Sequence, residues 1–441
     1  MSAGIRQRLG ALLLLSAPVL AHSDELKSRD SILIADVKIR YHLLKGLTLK
    51  AQPEPEKQTS TLQEGVSVQT VRPGIPALPM PKIKEAGAEL WEPHCPAPVK
   101  VSFFGDYWVP PYSPAANLKK KAFDKLNPLL EWSDFNVVNF EGSITKSTTR
   151  AFPKFPYALR QAPESLSWLS AAGIKHFTRA NNHAMDFGWN GATETSLAMN
   201  KAGVSYAGLG KDINAALKPM WMSKNGIKIA VFSLTTTYPA EAWAGKNRAG
   251  VAHPTQPAMQ NAIAAARKEA DFIVAAFHWG QELTPNIKPH QEEYAKQALK
   301  AGADIVVGHH AHLAQKIDSQ LDDGVVVYGL GNFLFSSLSR DAKFGLGAHF
   351  EFCKGDESSS GDGENTYRLV LTPLLTFNRA TGYQSRPMTR DEFLPFARDY
   401  SKKGLFSSDL EFYIPSERRM NSLSEWLRAG PQASKEGRAV N

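Results

Sequence analysis

From Val99 onward short apolar runs alternate with stretches of helical spacing, and turns carrying Gly, Asp, Asn or His follow several of the runs. Apolar runs at Lys100–Phe104, Asn136–Phe140, Ile174–Phe177 and Ser205–Ala207 predict strands, as do Lys228–Ser233, Phe272–Ala276, Ile305–Val307 and Val325–Tyr328. Helices are predicted near Ala116–Leu129, Pro163–Ala172, Gly191–Ala202, Thr255–Glu269 and Gln291–Ala301. The Pro-rich turn Pro110–Pro114 and the helix-closing Gly173 punctuate this series. Such alternation argues for an α/β domain with buried sheets. Past Asn332 the rhythm changes: Gly347–Cys353 and Tyr367–Leu374 read as a hairpin around the loop Lys354–Asn365. That loop, rich in Gly, Ser and acids, reads as flexible surface, with calcium binding a minor alternative. There are no internal repeats.

The N-terminal part follows another logic. Arg6 and Arg8 precede the apolar run Leu9 and Ala11–Leu15, and Val19-Leu20-Ala21 supplies small residues for cleavage after Ala21. A signal peptide over residues 1–21 is therefore expected; an uncleaved anchor is the alternative, although the run is short for a bilayer span. No later segment is long and apolar enough to span, so the mature chain is expected to be periplasmic or secreted, without a transmembrane helix. Residues 22–98 read as an N-terminal arm, with one or two strands in Ser31–Leu49 and a Pro-, Glu-, Gln- and Thr-rich linker from Ala51. The compact domain is assigned to 99–340, with the strands and helices of 341–425 packing on it and a polar tail over 426–441.

Charge and cysteine content narrow the class only slightly. Arg6 and Arg8 account for two of the +8 formal charges, leaving a modest excess over the mature chain. That suits an anionic substrate or envelope surface, but no long Lys/Arg run or nucleic-acid motif is present. Cys95 and Cys353 are the two cysteines. Their spacing excludes a CxxC site, leaving a disulfide or two free thiols.

The chemistry-bearing residues lie where the predicted strands end. Gly105-Asp106 closes the first, Asn139-Phe140-Glu141-Gly142 the second, and Asn182-His183 with Asp186 follows the third. His278-Trp279-Gly280 with Glu282 ends a later strand, and Gly308-His309-His310-Ala311-His312 another. Ligands usually bind at such strand ends in α/β sheets. Taken singly, Asp106 and Glu141 are ordinary turn residues, and His278 could be a core histidine. Together they form an oxygen and nitrogen donor set without thiolate, suited to one or two Mn, Fe or Zn ions. Such ions acidify water and stabilise a leaving oxygen, and a nearby histidine can protonate the departing group.

In order from about Lys100 to Ser337, these runs resemble the CapA family, the poly-gamma-glutamate capsule synthesis proteins; Asn181-Asn182-His183 and His309-His310-Ala311-His312 are the most specific, and Gly329-Leu330-Gly331-Asn332-Phe333 closes the series. The family is similar to calcineurin-like metallophosphoesterases, which implies a four-layer αββα sandwich with a metal site at one sheet edge. By that resemblance Asp106 and His312 bind a first metal, Glu141 bridges, and Asn182, His278 and His310 bind a second. His183 becomes the acid, with Asp186 and Glu282 as orienting groups or substrate contacts. Metallophosphoesterases usually carry His two residues after the first Asp; here that position is Trp108. One ligand is then missing, and His309 competes with His310 for its role. The resemblance implies an anionic polymer such as poly-gamma-glutamate as substrate and capsule synthesis or export proteins as partners. Three functions stay open: a metal-dependent hydrolase or transferase on that polymer, a non-catalytic polymer-binding or export protein, and a small-substrate phosphoesterase. The aromatics Tyr107, Trp108, Tyr157 and Trp189 could stack on a polymer or simply pack.

Overall fold

The computed structural model describes residues 89–428 apart from 238, 322–323, 338 and 356–363. The expected signal peptide, the strands of Ser31–Leu49, most of the linker, the centre of the 354–365 loop and nearly all of the tail lie outside the described residues. In chain order the strands begin β1 Val99–Trp108, β2 Phe135–Phe140, β3 Ile174–Thr178, β4 Ser205–Ala207, β5 Leu209–Gly210 and β6 Met220–Lys224. They continue with β7 Ile227–Thr235, β8 Gly250–Val251, β9 Phe272–His278, β10 Ile305–His309, β11 Ile317–Leu321 and β12 Gly324–Val327. The last are β13 Asn332–Phe335, β14 Phe344–Cys353, β15 Thr366–Leu375, β16 Arg386–Pro387, β17 Glu411–Ile414 and β18 Arg419–Ser422.

Two sheets carry the fold. One runs β18-β17-β15-β14-β1-β2-β3-β4, with β13 beside β1 and β16 beside β15; the other runs β11-β12-β10-β9-β7-β6. Strands β1, β2, β3 and β4 are mutually parallel, as are β7, β9, β10 and β12. The short pair β5–β8 stands apart.

Side-chain alternation shows how the layers stack. In β9, Phe272, Val274 and Ala276 join Val99, Val101 and Phe103 of β1 in a core between the sheets. The intervening Ile273, Ala275 and Phe277 pack outward with residues of α3 (Ala258–Ala266) and α4 (Pro289–Lys300). On the other flank Phe104, Val138, Phe140 and Phe177 pack against α1 (Ser165–Ala171) and the end of α2 (Gly188–Lys201). Helix, sheet, sheet, helix: this is the αββα sandwich that the resemblance implied. Strands apolar on both faces are what a parallel sheet covered on both sides requires. Each large apolar side chain buried in this way contributes roughly 1.5–3 kcal/mol. A further helix, α5 (Arg390–Lys402), adds Phe393, Leu394, Ala397 and Tyr400 to the inter-sheet core, so the C-terminal segment packs on the same domain.

The helix expected over Ala116–Leu129 is a correction. Helical turns at Pro114–Leu118 and Asn127–Trp132 flank a tighter 3-10 stretch, Lys119–Leu126. Pro128 lacks the amide donor and would clash with the carbonyl one turn earlier, so the chain restarts a helix with proline in its first turn.

Cys95 and Cys353 form a disulfide that ties the segment before β1 to the end of β14. Next to it in the fold, Trp91 and Trp132 pack around His349. His349 Nδ1 is 2.6 Å from Ser102 Oγ and Nε2 is 3.1 Å from Thr372 Oγ1. Burial pushes this imidazole from 6.5 down to about 3. The unfolded ring takes up its proton first, so stability present above about pH 6.5 is lost as pH falls toward 3. The slope is roughly 1.4 kcal/mol per pH unit. Urea melts at pH 7 and pH 5 should therefore differ by about 2 kcal/mol less in His349→Gln than in the native chain; equal pH dependence in both would show that this ring does not titrate on unfolding.

Candidate metal centre

Strand geometry brings the sequence-predicted residues together at the C-terminal ends of both sheets. In β1 the inward series Val99, Val101, Phe103 breaks at Gly105, where pairing with β2 and then with β13 slips by a residue on either side of Asp106. A bulge of this kind re-aims a side chain. Gly105 is required here, because a Cβ would stand 1.8 Å from the carbonyl oxygen of Gly331. Asp106 is wholly buried.

Asp106, Glu141 and His312 are the one group of three acidic or imidazole side chains found poised to share an ion among the described residues; one donor atom from each lies within 4.8 Å of the others. His312 Nδ1 is 3.1 Å from Asp106 Oδ2 and 2.8 Å from Asn332 Oδ1. Beside this trio, His278 Nε2 is 2.8 Å from Asn182 Oδ1 and 3.1 Å from His310 Nδ1. His183 Nδ1 is 2.8 Å from Asp186 Oδ2, and its Nε2 faces Glu141 Oε1 at 3.9 Å. The backbone amide of Leu159 donates to the same Asp186 oxygen at 2.6 Å.

Strand parity separates the two adjacent histidines. His309 continues the inward series Ile305, Val307 of β10 and places Nε2 3.3 Å from the carbonyl oxygen of Phe104. His310, just past the strand, has a φ of 89° and turns its ring to His278, while its amide donates to Asp106 Oδ2 at 3.2 Å. His312 also has a positive φ, 57°. Positive φ in residues other than glycine clusters at functional sites.

Of the two residues cast as orienting groups, Asp186 holds His183. Glu282 is exposed at the rim and, among the described residues, makes no hydrogen bond to the candidate ligands, although its charge reaches Glu141, His310 and His312. Trp108 donates its Nε1 to the carbonyl of Arg160 at 3.2 Å, and its ring lies 5.2 Å from Phe335. Phe335 in turn packs 4.5 Å from the His312 ring, so an aromatic wall stands beside the trio. Tyr107 is core, stacked on Phe123 and Phe140.

Three asparagines were not singled out from the sequence as site residues. Asn139 Nδ2 lies 2.8 Å from Asp106 Oδ1, 3.2 Å from Glu141 Oε2 and 3.3 Å from His278 Nδ1, joining both sheets. Asn181 Nδ2 donates to Asn139 Oδ1 at 3.0 Å, and Asn332 meets His312 as above. The available signal was an amide at an inward position ending an apolar strand, where it must be hydrogen-bonded if buried.

Electrostatics give the cluster its character. Burial pushes the Glu141 carboxyl well up, and the charge of Asp106 pushes it further. Burial also opposes ionisation of Asp106, but the hydrogen bond and charge of His312 hold its carboxyl below the usual range. Burial works against His312 as well, yet Asp106 and Glu141 raise it to about 10. His310 is lowered to about 4 by burial, and His278 is held well below its ordinary value by burial and the adjacent His310. Without a cation, a proton on His312 offsets the Asp106 carboxylate and Glu141 favours its protonated form, while His278 and His310 favour the neutral form that ligand imidazoles must take. Buried carboxylates with neutral imidazoles alongside fit a divalent ion.

Residues 100–337 match the family of bacterial capsule synthesis proteins, PGA_cap. The chain belongs to this family. The family member is 31% identical over 219 residues to the capsule biosynthesis protein CapA of Bacillus anthracis, covering 48% of this chain and 53% of that protein. It is 32% identical over 241 residues to the PGA biosynthesis protein CapA of Bacillus subtilis strain 168, covering 54% and 63%. The alignments thus span little more than half of these relatives. Among solved structures it is similar to the calcineurin-like phosphoesterase YfkN from Bacillus subtilis, with 13% identity and a TM-score of 0.40, covering 70% of this chain and 98% of that one.

Two outcomes follow from the geometry. Asn139→Ala removes the amide between both carboxylates and His278 and should lower stability by roughly 1–3 kcal/mol in urea melts; no change would mean that the amide does not hold the sheets together here. Loading with Mn or Zn should expel a proton, so affinity should rise about tenfold per pH unit for each proton released. Calorimetry in two buffers of different ionisation enthalpy reads that proton directly; identical heats would show that none leaves.

Proposed function

We propose that this family member is a metal-dependent hydrolase or transferase that works outside the cytoplasm on an amide or phosphoester bond in an anionic envelope polymer, of which poly-gamma-glutamate is the leading example. The observation that carries the reading is the buried pair Asp106 and Glu141 with His312 within donor distance. Fully buried carboxylates are costly unless paired or bound to a cation. Asp106 and His312 would hold one ion and Asn182, His278 and His310 a second, with Glu141 shared. The donors suit Mn, Fe or Zn.

A divalent cation there supplies Lewis acidity, polarising a phosphoryl or carbonyl oxygen and acidifying water. The chain's own residues do the rest. Asp186 fixes the Nδ1 side of His183, leaving Nε2 on the side of Glu141 to give its proton to the departing group. The names of the two CapA relatives, capsule and PGA biosynthesis proteins, support a place in capsule polymer synthesis, with capsule synthesis or export proteins as the proposed partners. The N-terminal sequence pattern and the Cys95–Cys353 disulfide support the compartment, since disulfides persist in oxidising surroundings.

One observation favours a second reading, polymer binding or export without turnover: Trp108 occupies the position where related phosphoesterases keep a histidine and turns toward Arg160. Metal analysis combined with turnover of gamma-linked glutamate polymer separates the two. Catalysis predicts near-stoichiometric Mn, Fe or Zn, turnover abolished by a chelator, and a loss of roughly 100- to 10,000-fold in His183→Ala with metal retained. Polymer binding that persists without turnover and ignores the chelator would establish the second.

A further inference from the structure

Beside the His183 flank of the site lies a cleft of about 400 Å³, lined by Pro111, Tyr112, Arg150, Ala158, Arg160 and Phe187 among others. It is tied to the site by covalent neighbours. Phe187 follows Asp186, and Leu159, between Ala158 and Arg160, donates its amide to the Asp186 carboxylate. The carbonyl of Arg160 accepts from Trp108.

Both arginines are anchored but incompletely used. Arg150 Nη2 donates to the carbonyl of Phe155, and Arg160 Nη2 to that of Ser147. The Arg160 guanidinium also lies 4.7 Å over the Phe187 ring. Among the described residues the Nη1 of each takes part in no hydrogen bond, and each Nε is buried without a partner. Neither guanidinium is paired with a carboxylate among the described residues. Tyr112 is 81% exposed, so its ring is open to a ligand at the cleft mouth.

We propose that this cleft is the subsite that reads carboxylates along the substrate chain, with Arg150 and Arg160 as the specificity-determining residues; the assignment rests on the proposed function. Two anchored guanidinium groups, each with an Nη1 left free of protein hydrogen bonds, match carboxylates, and the exposed Tyr112 and Pro111 match the methylene groups between them. The occupant is a carboxylate-bearing chain of alternating charge and hydrocarbon.

The test measures binding of a labelled gamma-linked glutamate oligomer to the full chain, with polyphosphate and the neutral gamma-linked glutamine oligomer as comparisons. Arg150→Gln and Arg160→Gln should each weaken the glutamate oligomer about tenfold. Both should keep native metal content, and the glutamine oligomer should bind weakly throughout. Arg150→Lys should recover only part of the affinity, because an ammonium lacks the planar fork. Should Arg160→Gln melt early, Tyr112→Ala, which removes an exposed ring, should still weaken binding several-fold. Unchanged affinity in Arg150→Gln and Tyr112→Ala would overturn the subsite. Polyphosphate binding as tightly with the same arginine dependence would overturn the carboxylate assignment. Failure of the proposed function reads differently: no metal and no turnover, with arginine-dependent oligomer binding intact.

Discussion

Asp106 and Glu141 set two acidic groups against each other in a space closed to solvent, and the surroundings answer that repulsion. His312 carries a proton it would ordinarily release, Asn139 directs an amide at both carboxylates, and the backbone amide of His310 reaches Asp106. These groups come from the ends of β1, β2 and β10, in two different sheets, so the cluster can form only once the sandwich is closed. The site is thus a product of the tertiary fold, and the fold is in turn held by it, because Asn139 and His278 cross from one sheet to the other.

Architecture was legible wherever it depended on period. The alternation of apolar runs with helical spacing located the parallel strands, and residue types at their ends located the cluster. Apolar spacing predicts one helix over Ala116–Leu129, and Pro128 divides it, so local backbone chemistry overrides periodicity there. The choice between His309 and His310 needed the register of β10: odd-numbered residues face inward, so His309 meets the Phe104 carbonyl and its neighbour is freed to turn. Glu282 looked equivalent to the other strand-end acids, but two residues beyond β9's closing turn carry it into solvent.

Asn139 was harder to see for another reason. It carries no charge and sits inside a motif whose more conspicuous member is Glu141, so residue type alone gives it little weight. Only contact reveals that one amide group touches an aspartate, a glutamate and a histidine together. Hydrogen-bond hubs of this kind are read from coordinates, since sequence spacing does not encode the crossing between sheets.

The left-handed backbone at His310 and His312 bears on how this protein can change. A side chain with a Cβ is held there against its own preference, at a cost on the order of 1–3 kcal/mol per residue. Glycine would relax that strain and asparagine tolerates it better, while both discard the imidazole. Selection for heat resistance alone would therefore pull these two positions away from histidine, and keeping them requires a continuing demand on what the imidazoles do.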